Sequence, residues 1–222
     1  MADVSIAALY DVHGNAHALE AVLAEVDAEV VVFGGDLVWG AWPHETLELA
    51  RSLGDRARFI MGNTDRLALT DWEDASALWV QERLNDEERA FVLAWPATLS
   101  LGGVLFCHAT PRNDTEVVTP ASPESRWAEV LDGVDEETVV CGHLHLQYDE
   151  RHAGHRVVNA GSVGNPTVRA TAWWATIAPE VELRTTDYDT RAVAAAWRAT
   201  GYPRTDFADE LERPRSRDEV LR

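Results

Sequence analysis

Asp11-Val12-His13-Gly14-Asn15 closes the apolar run Ile6-Ala7-Ala8-Leu9, and the reading of this junction decides the fold. A short hydrophobic strand delivers a carboxylate and an imidazole two residues apart, then turns at a glycine. The design recurs along the chain. Gly34-Gly35-Asp36 follows Val30-Val31-Val32-Phe33, and Gly62-Asn63-Thr64-Asp65 follows Phe59-Ile60-Met61. His108 comes after Val104-Leu105-Phe106-Cys107, and Gly142-His143-Leu144-His145 after Val139-Val140-Cys141. Open α/β sheets collect ligands at the carboxyl ends of their strands. Asp11, His13, Asp36, Asn63, His108, His143 and His145 are therefore expected to converge as one constellation.

Between these strand ends the periodicity changes. Leu19, Val22, Leu23 and Val26 give residues 16–27 a helical face, with Asn15 placed as its N-cap and His17 off that face. A further helix is expected over 44–53. Strands and helices thus alternate, as in a partly parallel sheet. Residues 66–95, with Leu67, Trp72, Trp79 and Phe91 among charged helix formers, read as a helical insertion closed by Pro96. Gly102-Gly103 marks a hairpin between 98–101 and 104–107, and Ala153-Gly154 marks another. The segments 172–177 and 181–186 pair across Pro179-Glu180, and a helix follows over 190–200.

The length of 222 residues suits one ample core, so residues 1–200 read as a single domain. Residues 201–222 read as a charged tail, a surface arm or a disordered end. The net charge of -19 repels phosphate polymers, so neither nucleic acid nor an anionic membrane is an expected partner. A small substrate held by cations is still compatible with that field. The two cysteines make no disulfide framework and are expected to pack as small apolar groups. Met1-Ala2-Asp3 opens no basic or long apolar segment, which makes the cytoplasm the expected compartment. Self-association into a homo-oligomer stays open.

Each motif alone is weak, because Asp-x-His arises often by chance. In order, and each after an apolar strand, they are specific. The chain resembles the calcineurin-like metallophosphoesterases, in particular the small bacterial and archaeal phosphodiesterase branch. Asp11-Val12-His13-Gly14-Asn15, Gly35-Asp36, Gly62-Asn63, His108 and Gly142-His143-Leu144-His145 carry the likeness. Asn159-Ala160-Gly161-Ser162-Val163-Gly164-Asn165-Pro166 adds a segment common in that branch.

The resemblance implies a four-layer α/β/β/α sandwich of two mixed sheets flanked by helices. It also implies two divalent metal ions, manganese first, with iron, zinc, nickel or cobalt as alternatives. Asp11, His13 and His145 would hold one ion; Asn63, His108 and His143 would hold the other; Asp36 would bridge them. A mixed oxygen and imidazole set suits these metals, and a shared carboxylate lets two cations sit roughly 3.5–4 Å apart. The implied reaction is hydrolysis of a small phosphodiester by a metal-bridging hydroxide, with Asp36, Asn63 and His108 as catalytic residues. Ser162 is read as part of a turn. Many relatives place a histidine after Gly-Asn to protonate the leaving group, whereas this chain has Thr64. Asp65, His17 or a metal-bound water is then the stand-in acid.

Asn15, at a helix N-terminus, and Arg112, after His108, are the substrate-binding candidates. Trp39 and Trp42 are read as packing, with an aromatic substrate wall as the alternative. The rival functions are a phosphomonoesterase acting on a nucleotide or sugar phosphate, and a non-catalytic metal-binding scaffold like the retromer subunit. The His-x-His-x-Asp-His run of metallo-β-lactamase-type hydrolases is absent from the sequence.

Overall fold

The structure is a computed structural model that describes residues 4–71, 73–178 and 180–221. Trp72, Pro179 and the Met1-Ala2-Asp3 start lie outside the described residues. The first sheet holds β1 (Ile6–Leu9), β2 (Val30–Phe33), β3 (Ala57–Phe59), β9 (Ala172–Ala178) and β10 (Glu182–Thr186), in the order β10-β9-β1-β2-β3. β1, β2 and β3 run parallel, while β9 and β10 join as an antiparallel hairpin. The second sheet holds β4 (Thr98–Leu101), β5 (Val104–Cys107), β6 (Thr138–Cys141), β7 (Tyr148–His152) and β8 (His155–Asn159), in the order β4-β5-β6-β8-β7. Its three central strands are parallel and both edges are antiparallel, so both sheets are mixed.

Period-two alternation sorts the side chains into layers. Ile6 and Ala8 of β1, Val32 of β2, Phe106 of β5, Val140 of β6 and Val158 of β8 meet in one buried cluster between the sheets. Ala7, Leu9, Val31 and Phe33 point the other way, against α1 (Ala16–Leu23) and α2 (Pro43–Arg51). Behind the second sheet, Leu105, Cys107, Val139 and Cys141 pack on Trp127 and Val130 of α6 (Glu124–Val130). The layers therefore run helix, sheet, sheet, helix. Each central strand is buried on both faces, which is why its sequence is a nearly unbroken apolar run.

The 66–95 stretch is helical, as α3 (Asn63–Thr70), α4 (Ala75–Arg83) and α5 (Asp86–Leu93). α3 starts earlier than the sequence suggested, at Asn63, so a candidate ligand is itself the first residue of a helix. After α7 (Thr190–Thr200), the tail departs from the expected surface arm. It forms α8 (Asp206–Glu212) and α9 (Arg217–Val220), and buries Tyr202, Phe207, Ala208 and Leu211. Phe207 packs on Trp197 of α7, with ring centroids 5.8 Å apart. Among the described residues no helix is long and apolar enough to cross a membrane.

Candidate metal centre

Every loop that carries a candidate ligand leaves the carboxyl end of a parallel strand, and backbone bonds tie these loops together. Asp11 N and His13 N donate to the carbonyls of Gly35 (3.1 Å) and Asp36 (2.8 Å). Gly142 N donates to the His108 carbonyl (2.9 Å), and His143 N to Asp11 Oδ2 (2.8 Å). The approach leaves no room for side chains at two glycines. A Cβ on Gly62 would lie 2.1 Å from Asp36 N, and one on Gly142 would lie 2.4 Å from Asp11 Oδ2.

The side chains converge in two groups, Asp11–His13–His145 and Asp36–His108–His143, with the ligand atoms of each within 4.8 Å of one another. In the first, His145 Nε2 lies 3.0 Å from His13 Nε2 and 3.3 Å from Asp11 Oδ1. In the second, His108 Nε2 lies 3.4 Å from Asp36 Oδ2 and 3.0 Å from the Asn63 amide. Asp36 Oδ2 is also 3.8 Å from His13 Nε2, which places this carboxylate between the groups. Thr64 N holds its other oxygen at 2.8 Å. Asp11, His13, Asp36, Asn63, His108, His143 and His145 are thus brought together.

The donor set fits cations. His108 Nδ1 is bonded to the Gly34 carbonyl (2.9 Å) and His145 Nδ1 to the Asn165 carbonyl (2.8 Å). Carbonyl partners require N–H at Nδ1, which turns each Nε2 lone pair inward, the usual outer-shell arrangement of metal-ligating histidine. Asp11 Oδ1 is buried with no hydrogen-bond partner. The Asn63 amide lies within 3.2 Å of the Asp114 carbonyl and of ring nitrogens of His143 and His108, and with its NH2 turned toward them it can donate to these groups.

The titration directions agree. Burial opposes charge on both carboxylates, yet His145 and His108 hold Asp11, and His108 and His13 hold Asp36, below the usual carboxylate range. Burial, and then His145, press His13 down to about 4, and burial with His108 lowers His143. Neutral imidazoles and ionised carboxylates are the ligand-competent forms. His108 is the exception: burial lowers it, but Asp36 overrides that and lifts the imidazole to about 10, so a cation at its Nε2 would have to displace a proton held there by the carboxylate.

Both expected substrate residues need correction. Asn15 is fully buried as the N-cap of α1: its Oδ1 accepts from Ala18 N (3.1 Å), and its amide donates to the Gly164 carbonyl (2.9 Å). Arg112 pairs with Glu129 (2.7 Å) and Glu116 (3.2 Å) and does not line the cavity at the constellation. The two side-chain stand-in acids also fail on geometry. Asp65 is buried and accepts from the N–H groups of Leu37 (2.8 Å), Val38 (2.9 Å) and Gly62 (3.3 Å). Burial, then the Asp36 carboxylate, push it up to about 7 against those donors. His17 meets Trp42 edge-on and lines a separate groove of about 720 Å³ between α1 and α2. Trp39 is core, and Trp42 packs on Trp197. Ser162 Oγ donates to the Asp11 carbonyl (2.7 Å) and so shapes the first loop.

The positioning role of some residues escaped the sequence reading. Asp65 ties the Asp36 loop to the start of α3, and its place in Gly-Asn-x-Asp was the available signal. Asn165 and Thr167 hold His145 through its Nδ1 and its carbonyl. Arg204, Phe207 and Arg215 reach the cavity of about 250 Å³ over the constellation from the tail, and no motif announced them.

Comparison with known proteins agrees with this geometry. A curated relative, the uncharacterized protein MJ0912 of Methanocaldococcus jannaschii, is 25% identical over 174 residues, 71% of this chain and 69% of the relative. The crystal structure of a metallophosphoesterase from Sphaerobacter thermophilus superposes with a TM-score of 0.80 at 22% identity, covering 94% of this chain and 98% of that one. That of the hypothetical protein PH1004 from Pyrococcus horikoshii gives 0.82 at 21% identity, covering 94% and 97%. These two share the fold. The sequence profile of the calcineurin-like phosphoesterase superfamily domain matches residues 4–180. Two mixed sheets, ligand-type side chains at their strand ends and that match together make the chain a member of the calcineurin-like phosphoesterase superfamily.

Proposed function

We propose that this chain is a divalent-metal-dependent phosphoesterase that hydrolyses a small phosphodiester at the Asp36 centre. The observation that carries the reading is the position of Asp36 between two ligand groups, 3.4 Å from His108 and 3.8 Å from His13. Asp11, His13 and His145 would hold one ion and Asn63, His108 and His143 the other, with Asp36 shared; manganese is the first choice. When bound, such a pair supplies an activated water and neutralises charge on the phosphoryl group.

The chain's own residues set the rest. Asp11, His13, Asp36 and His108 are buried, which strengthens each electrostatic contact among them. Thr64 Oγ1 is buried without a partner beside Asp36, and serves as a hydrogen-bond donor to an ester oxygen. An alcohol is too weak an acid to protonate a poor leaving group. Substrates with acidic leaving groups should therefore turn over fastest. The cavity of about 250 Å³ suits a small ester.

Manganese-titrated turnover of bis-p-nitrophenyl phosphate and p-nitrophenyl phosphate tests this. We expect the diester to be hydrolysed faster, with activity lost in Asp36→Asn. A strong monoester preference would make the enzyme a phosphomonoesterase. No turnover of either ester by the metal-loaded protein would leave the scaffold reading.

A further inference from the structure

Beyond the metal centre, we propose that Arg204 and Arg215 of the C-terminal segment are the anion-recognition residues of this site, binding the phosphoryl oxygens of a small phosphoester. The inference rests on the phosphoesterase reading. The superfamily match ends at residue 180, before this segment.

Both arginines line the cavity that His13, Asp36, Asn63 and His145 floor. Each is fastened to the site through its backbone, with its guanidinium paired to a partly exposed carboxylate of the same segment. The Arg204 carbonyl accepts from Trp197 Nε1 (3.1 Å), and its guanidinium lies 4.9 Å from the centroid of the Phe207 ring. That ring is buried and packs on the His13 imidazole, with centroids 5.2 Å apart. The Arg215 carbonyl accepts from Val168 N (2.7 Å), in the loop whose Asn165 and Thr167 hold His145. Val168 takes φ 66°, a conformation that β-branched residues avoid. Strain of this kind persists only where the surroundings over-determine it. Here it directs the N–H that anchors Arg215.

The guanidinium ends have different partners. Arg204 forks onto Asp206, and Arg215 Nε meets Glu210 Oε1 at 3.1 Å. The two arginine side chains are 46% and 44% exposed. Exposed pairs of this kind are weak. A phosphoryl group that offers bidentate acceptors beside the metal centre can displace the carboxylates, whereas the expected Arg112 does not line this cavity.

The test titrates inorganic phosphate by calorimetry into the manganese-loaded wild type, Arg204→Ala, Arg215→Ala, the double variant, Arg204→Lys and Glu210→Gln. Manganese content and circular dichroism are measured on each, and KM and kcat on bis-p-nitrophenyl phosphate. Each arginine deletion should raise the phosphate Kd and KM about tenfold, as loss of a charged hydrogen bond does, with manganese content unchanged. Arg204→Lys, which keeps charge but loses the fork, should fall between. Glu210→Gln should tighten phosphate binding, because it removes the competing carboxylate; weaker binding would mean that the ion pair merely braces the tail. Phosphate affinity within twofold of wild type in the double variant overturns the proposal, as does affinity lost only together with manganese. Wild type that binds phosphate through these arginines but hydrolyses no ester would sink the phosphoesterase reading and leave this one standing. Wild type that hydrolyses esters but is indifferent to both arginines does the reverse.

Discussion

Asp65→Ala should separate the Asp36 loop from Asn63 without touching either candidate ligand. The Asp65 carboxylate is buried and accepts from Leu37 N at 2.8 Å and Val38 N at 2.9 Å, both just after Asp36. It also accepts from Gly62 N at 3.3 Å, just before Asn63. Alanine orphans all three donors. An orphaned buried N–H costs about 1–3 kcal/mol, so the two short bonds alone give about 2–6 kcal/mol. Water entering the vacated space relieves part of that, and we expect about 2–4 kcal/mol. Against a typical domain stability of about 5–15 kcal/mol this is large but survivable. Urea unfolding monitored by tryptophan fluorescence gives the stability change, and manganese content after dialysis gives the local one. Content should fall by about half or more, since the second group would lose its register with Asp36. Asp65→Asn keeps an oxygen for Leu37 and Val38 but turns an amide toward the Gly62 N–H, and should lose about half as much stability. A loss under about 1 kcal/mol with full manganese content would show that Asp65 does not position this site, and that the bond energies are misjudged.

Gly62→Ala places a methyl 2.1 Å from Asp36 N, so the folded protein should retain little manganese; wild-type content would refute the contact. Asn15→Ala removes a helix cap and strands the buried Gly164 carbonyl, costing about 1–3 kcal/mol in urea unfolding. Its KM for the diester should stay within twofold of wild type, because the amide is spent inside the fold. Cys107 and Cys141 are buried, and burial foremost pushes the Cys141 thiol up to about 12. Iodoacetamide at neutral pH should leave both unlabelled until denaturant is added, and rapid labelling of the native chain would contradict their placement behind the second sheet.

The strand ends were legible because their signal is local. A buried parallel strand is written as a continuous apolar run, and the residue after it must leave the sheet at its carboxyl edge. Asp11, Asp36, Asn63 and His108 follow from that rule. The N-cap role of Asn15 was equally visible, and only its competing substrate role needed coordinates. Arg112 misled because proximity to His108 in sequence says nothing of direction. The loop after β5 carries it outward to Glu129 of α6, and Glu116, at helical spacing from it, was the available warning. The tail was illegible for a different reason. α8 is 7 residues long, and a helix so short is not stable alone. Phe207, Ala208 and Leu211 are too few to mark an apolar face among charges, and the helix depends on Trp197 and His13 giving Phe207 somewhere to pack.

Backbone strain links the fold to the chemistry. Asp11, His13, Asp36, His143 and His145 all have φ between 48° and 65°, in the left-handed region that side chains usually avoid. Asp and His tolerate it better than most, yet each instance costs of order 1–3 kcal/mol. Glycine at any of them would relieve the strain and keep the turn. A chain using these sheets only as a platform would have no reason to keep carboxylates and imidazoles there. The hydrogen bonds of the neighbouring loops hold the strain in place, with Asp11 N and His13 N on the Asp36 loop and His143 N on the Asp11 carboxylate. Each loop is therefore fixed by the one it helps to fix. Strain stored in five ligand-type residues and locked by their own mutual bonds is what a preorganised cation centre requires, and it weighs against a platform that has lost its metal ligands more heavily than the motifs do.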